Sequence, residues 1–197
     1  MKKYKIIYTT GAFDPFHYGH LNILRKAKEL GEFVIVGVST DSLIKTAKNR
    51  KSFMPLNDRM EIISEMKCVD KVIPQIDKNK QKIVDKFNID AIIVGSDWKG
   101  NYPNVSCDII YVDYTVGISS TLIRKNIVKG KVNTVEKFLG RPWSIEGEVV
   151  EGQKRGRKIG FPTCNIKWNY YALPKLGVYA VNVESKNFKK KGIANIG

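Results

Sequence analysis

The sequence predicts an α/β fold with a parallel sheet in its first two-thirds and an all-β region in its last third. In the first part, short apolar runs alternate with helical patterns, and continuous apolar runs are typical of parallel strands that are covered on both faces. After Gly140, short strand signals follow one another with turn residues and no helices between them. That second pattern is typical of a β-barrel or a sandwich.

The elements of the first part can be justified in order along the chain. Leu21, Leu24, Ala27 and Leu30 recur at three-residue steps and predict a helix over residues 20–30, which Gly31 ends. Strands are predicted over residues 5–9, 33–38, 71–74, 91–95 and 109–112, with further helices from Asn57 as N-cap, over residues 80–87, and from Ser119 to about Leu139. This alternation favours a parallel sheet flanked by helices.

The last third contains strand signals over residues 147–150, 164–166 and 178–183, separated by glycines and prolines. It also concentrates the charge of the chain. The 197 residues carry a net charge of +15, and residues 129–197 hold 14 Lys/Arg against 5 Asp/Glu. A basic excess raises nucleic acid, a membrane surface or polyphosphate ligands as partners, although a lysine bias on solvated faces is its simplest explanation.

Composition also excludes several classes of protein. The three cysteines lie far apart without a paired spacing, which argues against a zinc site and against a disulfide scaffold. No apolar run approaches the roughly 20 residues that a membrane helix needs. We therefore expect a cytoplasmic protein whose partners are small molecules, with neither a membrane nor a nucleic acid as its main partner.

The two histidines of the chain, His17 and His20, lie three residues apart where a loop after the first strand meets a helix. Backbone N–H groups at a helix N-terminus attract anions, and Gly19 between the histidines lets a phosphate approach the backbone. A metal pair is the alternative, but no third ligand is evident. A buried core role for both is less consistent with a loop position.

A second cluster of polar residues opens the helix predicted from Ser119. Ser119, Ser120 and Thr121 supply three hydroxyls, and Arg124 follows about one turn later. Hydroxyl and N–H groups at a helix start suit phosphate oxygens, as does an arginine nearby. A plain N-cap followed by a surface arginine is the alternative explanation.

These two motifs together resemble the nucleotidyltransferase superfamily of cytidylyltransferases and adenylyltransferases, over roughly residues 4–128. Within it the chain is similar to glycerol-3-phosphate cytidylyltransferase, on the segments 39–41, 57–59, 69–74 and 95–100. The resemblance implies a doubly wound parallel sheet, the His-x-Gly-His nucleotidyltransferase fold, with the nucleotide at the carboxyl ends of the strands. Two departures, Ala12 for threonine and Tyr114 for arginine, weaken the case for CTP.

The resemblance implies attack by an acceptor phosphate on the α-phosphorus of ATP or CTP, with release of pyrophosphate and with Mg²⁺ accompanying the triphosphate. It assigns catalysis to His17, His20, Arg59 and Arg124. It assigns nucleotide and phosphate binding to Gly11, Phe13, Asp14, Gly19, Lys48, Arg50, Asp97, Trp98, Ser119, Ser120 and Thr121.

The glycine-rich basic stretch 151–166 is followed by residues 173–174, 177–181 and 192–197. In composition it could be an ordinary basic hairpin or a nucleic-acid loop, but in residue order it resembles riboflavin kinase. The resemblance assigns the binding of ATP and flavin to Gly152, Gly156, Arg157, Gly160, Pro162, Thr163 and Asn165, with Thr163 and Asn165 also at Mg²⁺. The glutamate base of that family falls beyond Gly197, so we expect an incomplete kinase half.

The joint over residues 118–143 is similar to bifunctional riboflavin kinase/FAD synthetases. We expect a nucleotidyltransferase domain over residues 1–128, a helical linker over 129–141, and the first part of a riboflavin kinase β-barrel over 142–197. The leading hypothesis is phosphorylation of riboflavin to FMN and adenylyl transfer to FMN, both with ATP. The alternatives are a cytidylyltransferase for glycerol-3-phosphate or a related phosphate, and a nucleic-acid or flavin-binding module without catalysis.

Overall fold

The computed structural model of the chain describes residues 2–158, 160–168 and 172–197. Its first part is a five-stranded sheet in the order β3-β2-β1-β4-β5, with every neighbouring pair parallel. The strands are β1 (Tyr4–Gly11), β2 (Gly31–Ser39), β3 (Lys71–Gln75), β4 (Ala91–Gly95) and β5 (Asp108–Val112). The order reverses at β1, and open sheets of this kind bind ligands at the carboxyl ends beside the reversal. The predicted doubly wound parallel sheet is confirmed.

Helices cover both faces of this sheet. They are α1 (Tyr18–Leu30), α2 (Asp41–Lys48), α3 (Leu56–Ser64), α4 (Gln81–Phe87), α5 (Ser120–Val128) and α6 (Val132–Leu139). Ile7 of β1 packs with Leu24 of α1 on one face, while the neighbouring Tyr8 packs with Val84 of α4 on the other. Successive strand residues point to opposite faces, so the continuous apolar runs reflect burial on both sides.

Two details of the helix prediction are wrong. The helix predicted from Asn57 begins at Leu56 with Pro55 as its N-cap, so Asn57 lies inside the first turn and does not cap it. The single helix expected from Ser119 to Leu139 is two helices, because Gly130 adopts a left-handed φ of 71° between them. Glycine tolerates that conformation, which ends a helix.

One helix of the first part, α2, was not predicted. Its residues are mostly polar, and Ile44 is its only buried one. The hydroxyl of Thr40 caps its start by accepting from the N–H of Leu43 at 3.2 Å. A helix with such a narrow apolar face gives little periodic signal.

The second part contains antiparallel strands, as predicted. β6 (Glu148–Val150) pairs with β7 (Asn165–Lys167), and β8 (Gly177–Ser185) pairs with β9 (Phe188–Ile196). The four-residue helix α7 (Arg155–Lys158) and the lysine-rich strand β9 were not predicted as elements. In the described parts of the chain, no helix has both the length and the hydropathy to cross a bilayer.

A third apolar cluster, which we call the joint cluster, connects the two parts. Its buried centre is Ile118, Ile123, Ile127 and Val135, and the partly buried Phe53, Phe138, Leu139, Trp143 and Ala172 pack around it. The centre thus comes from α5, α6 and the residue before them. Trp143 and Ala172 come from the region after α6, and Phe53 comes from the loop before α3.

Candidate active site

The two histidines lie at the start of α1 with their rings stacked. The ring centroids are 3.7 Å apart and the planes are inclined by 23°. The backbone N–H of His17 donates to Nδ1 of His20 at 3.2 Å. Because that nitrogen accepts, the proton of a neutral His20 ring lies on Nε2. A side chain at Gly19 would lie 3.1 Å from the His17 ring, so only glycine leaves the imidazole in place.

Burial makes both histidines neutral at pH 7. It lowers the pKa of His17 to about 4. It also lowers the pKa of His20 well below its ordinary value, with smaller contributions from His17 and Lys48. The Nδ1 atom of His17 is buried without a hydrogen-bond partner in the described structure. An unpartnered buried nitrogen at a helix start is consistent with a place that a ligand completes.

Phe13 packs against His20, and Gly11 leaves room for the Phe13 ring. Phe13 is 5% exposed and its ring meets that of His20 edge to face, with centroids 5.0 Å apart. A side chain at Gly11 would lie 3.3 Å from the Phe13 ring. Both residues were expected to bind nucleotide. The structure places them where they shape the site through packing.

Asp14 is a fully buried carboxylate that joins three segments of the site. It accepts from the N–H groups of Phe53 at 2.9 Å and Met54 at 3.1 Å. It also accepts from Nη1 of Arg50 at 2.9 Å and pairs with Nη2 of Arg124. The expected role of Asp14 was nucleotide binding. Its described contacts are with protein groups, and they hold the loop before α3 against α5.

Arg59 departs from its expected place among the catalytic groups. It is 1% exposed, and its guanidinium donates to the Met54, Ala12 and Ser39 carbonyls and to the Asp41 carboxylate, at 2.5–3.0 Å. These contacts satisfy the guanidinium within the protein. The structure therefore makes Arg59 a brace between the ends of β1 and β2.

Arg124 and the Lys48–Arg50 segment bring positive charge to the same end of the sheet. Arg124 donates to the Asp14 carbonyl at 2.7 Å, and burial lowers its pKa to about 10 although Asp14 opposes the shift. Lys48 ends α2 with an exposed side chain. Surrounding protein atoms and the charges of Arg50 and Arg124 lower the pKa of Lys48. Closely placed cations of this kind suit a polyphosphate.

The hydroxyls of the second motif divide into two groups. Ser119 caps α5 by accepting from the Leu122 N–H at 3.1 Å, and Ser120 donates to the Pro15 carbonyl at 3.2 Å. Thr121 is exposed. The contact between Ser120 and Pro15 brings this helix start to the histidine loop, so the structure joins the two motifs that the sequence separates by about a hundred residues.

Asp97 and Trp98 lie in a single 3₁₀ turn directly after β4. Trp98 is half-exposed and meets Tyr102 edge to face, with centroids 5.8 Å apart. The Tyr114 N–H donates to Ser96 Oγ at 3.2 Å and the Tyr114 hydroxyl donates to the Ile118 carbonyl at 3.1 Å. Tyr114 thus stabilises the loop before α5. No pattern in the sequence indicates these partners of Tyr114, because Ser96 lies 18 residues away in the chain.

The glycine-rich loop of the second part surrounds a cavity of about 220 Å³. Its lining consists of residues 149–152, Lys154, Arg157 and residues 162–165. The Asn165 amide lies against Gly152, and the Phe161 carbonyl lies against Gly156, so a side chain at either glycine would collide. Gly160 adopts a left-handed φ of 83°.

Neither site holds a ready-made metal centre among the residues that the structure describes, which contain no group of three or more His, Cys, Asp or Glu side chains placed for a metal. The donors present are hydroxyl and amide oxygens at Thr163 and Asn165. Mg²⁺ takes few protein ligands when substrate phosphates supply the others, so this donor set fits a magnesium ion that arrives with a nucleotide.

Both parts of the chain are similar to known proteins. Residues 8–126 match the profile of the cytidylyltransferase-like family, and residues 139–197 match that of riboflavin kinase. A glycerol-3-phosphate cytidylyltransferase from Bacillus spizizenii is 42% identical over 128 residues, which cover 62% of this chain and 97% of the relative.

Two further relatives extend over both parts. A bifunctional riboflavin kinase/FMN adenylyltransferase from Listeria monocytogenes is 31% identical over an alignment of 221 residues, covering 95% of this chain and 70% of the relative. A crystal structure titled as a macrolide-efflux protein from Streptococcus pneumoniae superimposes with a TM-score of 0.77 at 25% identity. That match covers 100% of this chain and 75% of the other.

Proposed function

Since the chain belongs to the cytidylyltransferase-like family and continues into a riboflavin kinase segment, it is a nucleotidyl-transferring enzyme, and we propose that it forms FAD from FMN and ATP. The observation that carries the proposal is the similarity to bifunctional riboflavin kinase/FMN adenylyltransferases across 95% of the chain. We propose residues 1–128 as the transferase domain, 129–141 as the linker and 142–197 as kinase barrel. The ends of α5 at Val128 and α6 at Leu139 support these limits.

In the proposed reaction, a phosphate oxygen of FMN attacks the α-phosphorus of ATP. The new P–O bond forms as the bond to the β-phosphate oxygen breaks, and pyrophosphate leaves with the electron pair. Such transfer needs positioning and charge stabilisation more than covalent chemistry. We assign the stabilisation to His17 and His20, whose neutral rings at the start of α1 are donors for phosphate oxygens.

The residues around the positive charge of the site are proposed to have two roles, ligand binding and positioning. Lys48 and Arg50 are assigned to the triphosphate and acceptor charges, since Lys48 is exposed and the described hydrogen bonds of Arg50 use only its Nη1. Arg59, Asp14, Gly11 and Phe13 are positioning residues in this proposal, because their contacts are with the protein. Arg124 holds Asp14 and contributes positive charge beside Lys48.

Nucleotide recognition is proposed for the other residues of the first motif pair. Backbone N–H groups near Gly19, together with Ser119, Ser120 and Thr121, would hold phosphate oxygens, while Asp97 and Trp98 would line the base or acceptor pocket. Trp98 offers an exposed aromatic face, which suits stacking. Mg²⁺ bound by the substrate phosphates would neutralise charge on the departing pyrophosphate.

The second cavity is proposed to bind the phosphates of ATP and the flavin during riboflavin phosphorylation. Gly152, Lys154 and Arg157 line the cavity, and the two basic side chains add positive charge. Gly156 and Gly160 belong to the same glycine-rich loop and are included in the proposal on the resemblance to riboflavin kinase. Thr163 and Asn165 are the proposed protein donors to Mg²⁺. We confine this proposal to binding, which is what the lining of the cavity supports.

Cytidylyl transfer to glycerol-3-phosphate is the second candidate, and the 42% identity over 128 residues favours it. Two observations weigh against it. The similarity to that relative does not extend to residues 129–197. In addition, Ala12 and Tyr114 stand where cytidylyltransferases carry threonine and arginine. In this chain the Tyr114 hydroxyl donates to the Ile118 carbonyl. A phenol is also uncharged, so Tyr114 cannot replace the positive charge of an arginine.

The test is pyrophosphate release by the whole chain with four substrate pairs: ATP or CTP, each with FMN or glycerol-3-phosphate. The proposal predicts the fastest release with ATP and FMN. A His20→Asn variant is the matched control for contaminating activity. Release that is confined to CTP with glycerol-3-phosphate would overturn the flavin proposal in favour of the second candidate.

A further inference from the structure

We propose that Trp143, which lies beyond the transferase domain, is a positioning residue for the nucleotidyl-transfer site. Trp143 follows α6, and its indole Nε1 donates to the Ala172 carbonyl at 3.2 Å. Both residues pack against the joint cluster. The region after α6 therefore closes one side of an apolar cluster whose centre belongs to α5 and α6.

The joint cluster continues directly into the candidate site through α5. Ile123 and Ile127 are fully buried and face the cluster. Arg124, adjacent to Ile123 in the chain, reaches the buried carboxylate of Asp14 instead. Consecutive residues on a helix point in directions about 100° apart, so one helix can serve both the cluster and the site. Any shift of α5 moves Arg124 relative to Asp14.

Phe53 provides a second connection between the cluster and the site. Its side chain packs against the joint cluster, and the Arg124 guanidinium lies 4.2 Å from the centre of its ring. Its backbone N–H donates to Asp14 at 2.9 Å. Phe53 therefore contacts both members of the Asp14–Arg124 pair, and it is held in turn by the cluster that Trp143 closes.

Removal of the indole leaves a space that the remaining side chains of the cluster cannot fill without moving. Protein interiors are packed closely enough that such a loss shifts neighbouring side chains or leaves a costly cavity. The cluster against which Trp143 packs takes Ile123 and Ile127 from α5, and Phe53 packs against the same cluster. We infer that loss of Trp143 loosens the loop at residues 53–54 and the placement of Arg124, although no atom of Trp143 belongs to the site.

The first measurement needs no substrate. Amide hydrogen exchange of Phe53 and Met54, whose N–H groups donate to Asp14, is followed in the whole chain with and without Trp143→Ala. We expect exchange at both amides to accelerate about two- to 30-fold, the range found for coupling through packed side chains. Trp168→Ala, at a partly exposed tryptophan outside the joint cluster, is the matched control and should leave both amides unchanged.

The second measurement rests on the proposed function. KM for the nucleoside triphosphate should rise over the same range in Trp143→Ala, with a smaller change in kcat, because Arg124 and its neighbours are displaced while the histidines of α1 are not. If no substrate pair yields product, the proposed function fails and the exchange data still decide the role of Trp143.

Unchanged exchange at residues 53 and 54 in a folded Trp143→Ala chain would overturn the proposal. Should that variant fail to fold, Trp143→Leu is measured in its place, since leucine keeps an apolar contact and loses the hydrogen bond to Ala172. Accelerated exchange at both amides in Trp143→Leu would support the proposal, and unchanged exchange would overturn it.

Discussion

The stacked histidines at the start of α1 are the residues on which the proposed chemistry depends most. Both are uncharged at neutral pH because burial disfavours the imidazolium form. A neutral imidazole can donate a hydrogen bond to a phosphate oxygen in the ground state. Its pKa rises as negative charge develops nearby, so it can also become protonated as the reaction proceeds. The closeness of the two rings, 3.7 Å between centroids, concentrates this effect at one point.

Replacement of His17 by asparagine should therefore lower kcat for pyrophosphate release by about 100-fold or more, the range for loss of one acid–base or charge-stabilising side chain. Asparagine is a good helix N-cap, so α1 should be preserved. Steady-state kinetics and the far-UV circular dichroism spectrum check both points. A variant that is folded and retains wild-type kcat would show that His17 has no chemical role.

The same histidine makes stability depend on pH. The pKa of His17 is about 4 in the folded chain, against about 6.5 unfolded, so the unfolded chain binds more protons between these values. The stabilisation is present in full above pH 6.5 and is lost as pH falls towards 4, by at most about 3 kcal/mol. Urea unfolding at several pH values measures this loss. His17→Asn should reduce the slope of the free energy of unfolding against pH between pH 4 and 6.5. Equal slopes for both chains would contradict it.

At the level of elements, the site is assembled by ties between loops and helix ends. Asp14 in the β1–α1 loop fixes the loop before α3 and the middle of α5, and Arg59 of α3 braces the ends of β1 and β2. Buried ion pairs are costly to break because the remaining charge has no partner. These ties give the carboxyl end of the sheet a defined shape before any ligand arrives.

Asp14→Asn should lower the free energy of unfolding by about 3–5 kcal/mol, the cost of leaving a buried charge without its partner. The affected charges are Arg124 and Arg50, whose side chains are 13% and 26% exposed. Glu29→Gln breaks the exposed pair with Lys26 and is the control, with an expected change of at most about 1 kcal/mol. Similar losses for the two variants would contradict the central position of Asp14.

The sequence predicted these elements unevenly for identifiable physical reasons. Strands buried on both faces, such as β4, were predicted because they are continuous apolar runs. The motif around His17 was recognised because its residues are close together in the chain. Helix α2 has one buried residue and was missed, and the split between α5 and α6 depends on the conformation of Gly130. The contacts of Asp14 and Arg59 bring together residues distant in the chain, so an isolated aspartate or arginine carries no sign of them.

At the scale of the whole molecule, the helices α5 and α6 and the region after them are joined through one apolar cluster. The joint cluster takes its centre from α5 and α6, and Trp143 and Ala172 complete it from beyond. The order of motifs along the chain predicted two functional units. It could not predict that one unit supports the packing behind the other, because Trp143 is a single aromatic residue in an irregular segment with no periodic pattern around it.

The two units should also respond differently to substitution in the second cavity. Gly152→Val would force a side chain against the Asn165 amide, so it should abolish binding of nucleotide or flavin at that cavity. The transferase site should keep its KM for ATP, since Gly152 is outside the joint cluster. Equilibrium binding with a fluorescent nucleotide and pyrophosphate release in the same preparation test this separation, and loss of both activities together would contradict it.

Adenylyl transfer to a flavin can be followed through the transferred group itself. ATP labelled at the α-phosphate is incubated with FMN and the whole chain. The products are then separated, and mass spectrometry shows which of them carry the label. We predict label in FAD and unlabelled pyrophosphate in equal amount, with both products formed about 100-fold or more slowly by His17→Asn. Absence of label from FAD, together with cytidylyl transfer to glycerol-3-phosphate by the same preparation, would contradict the claim.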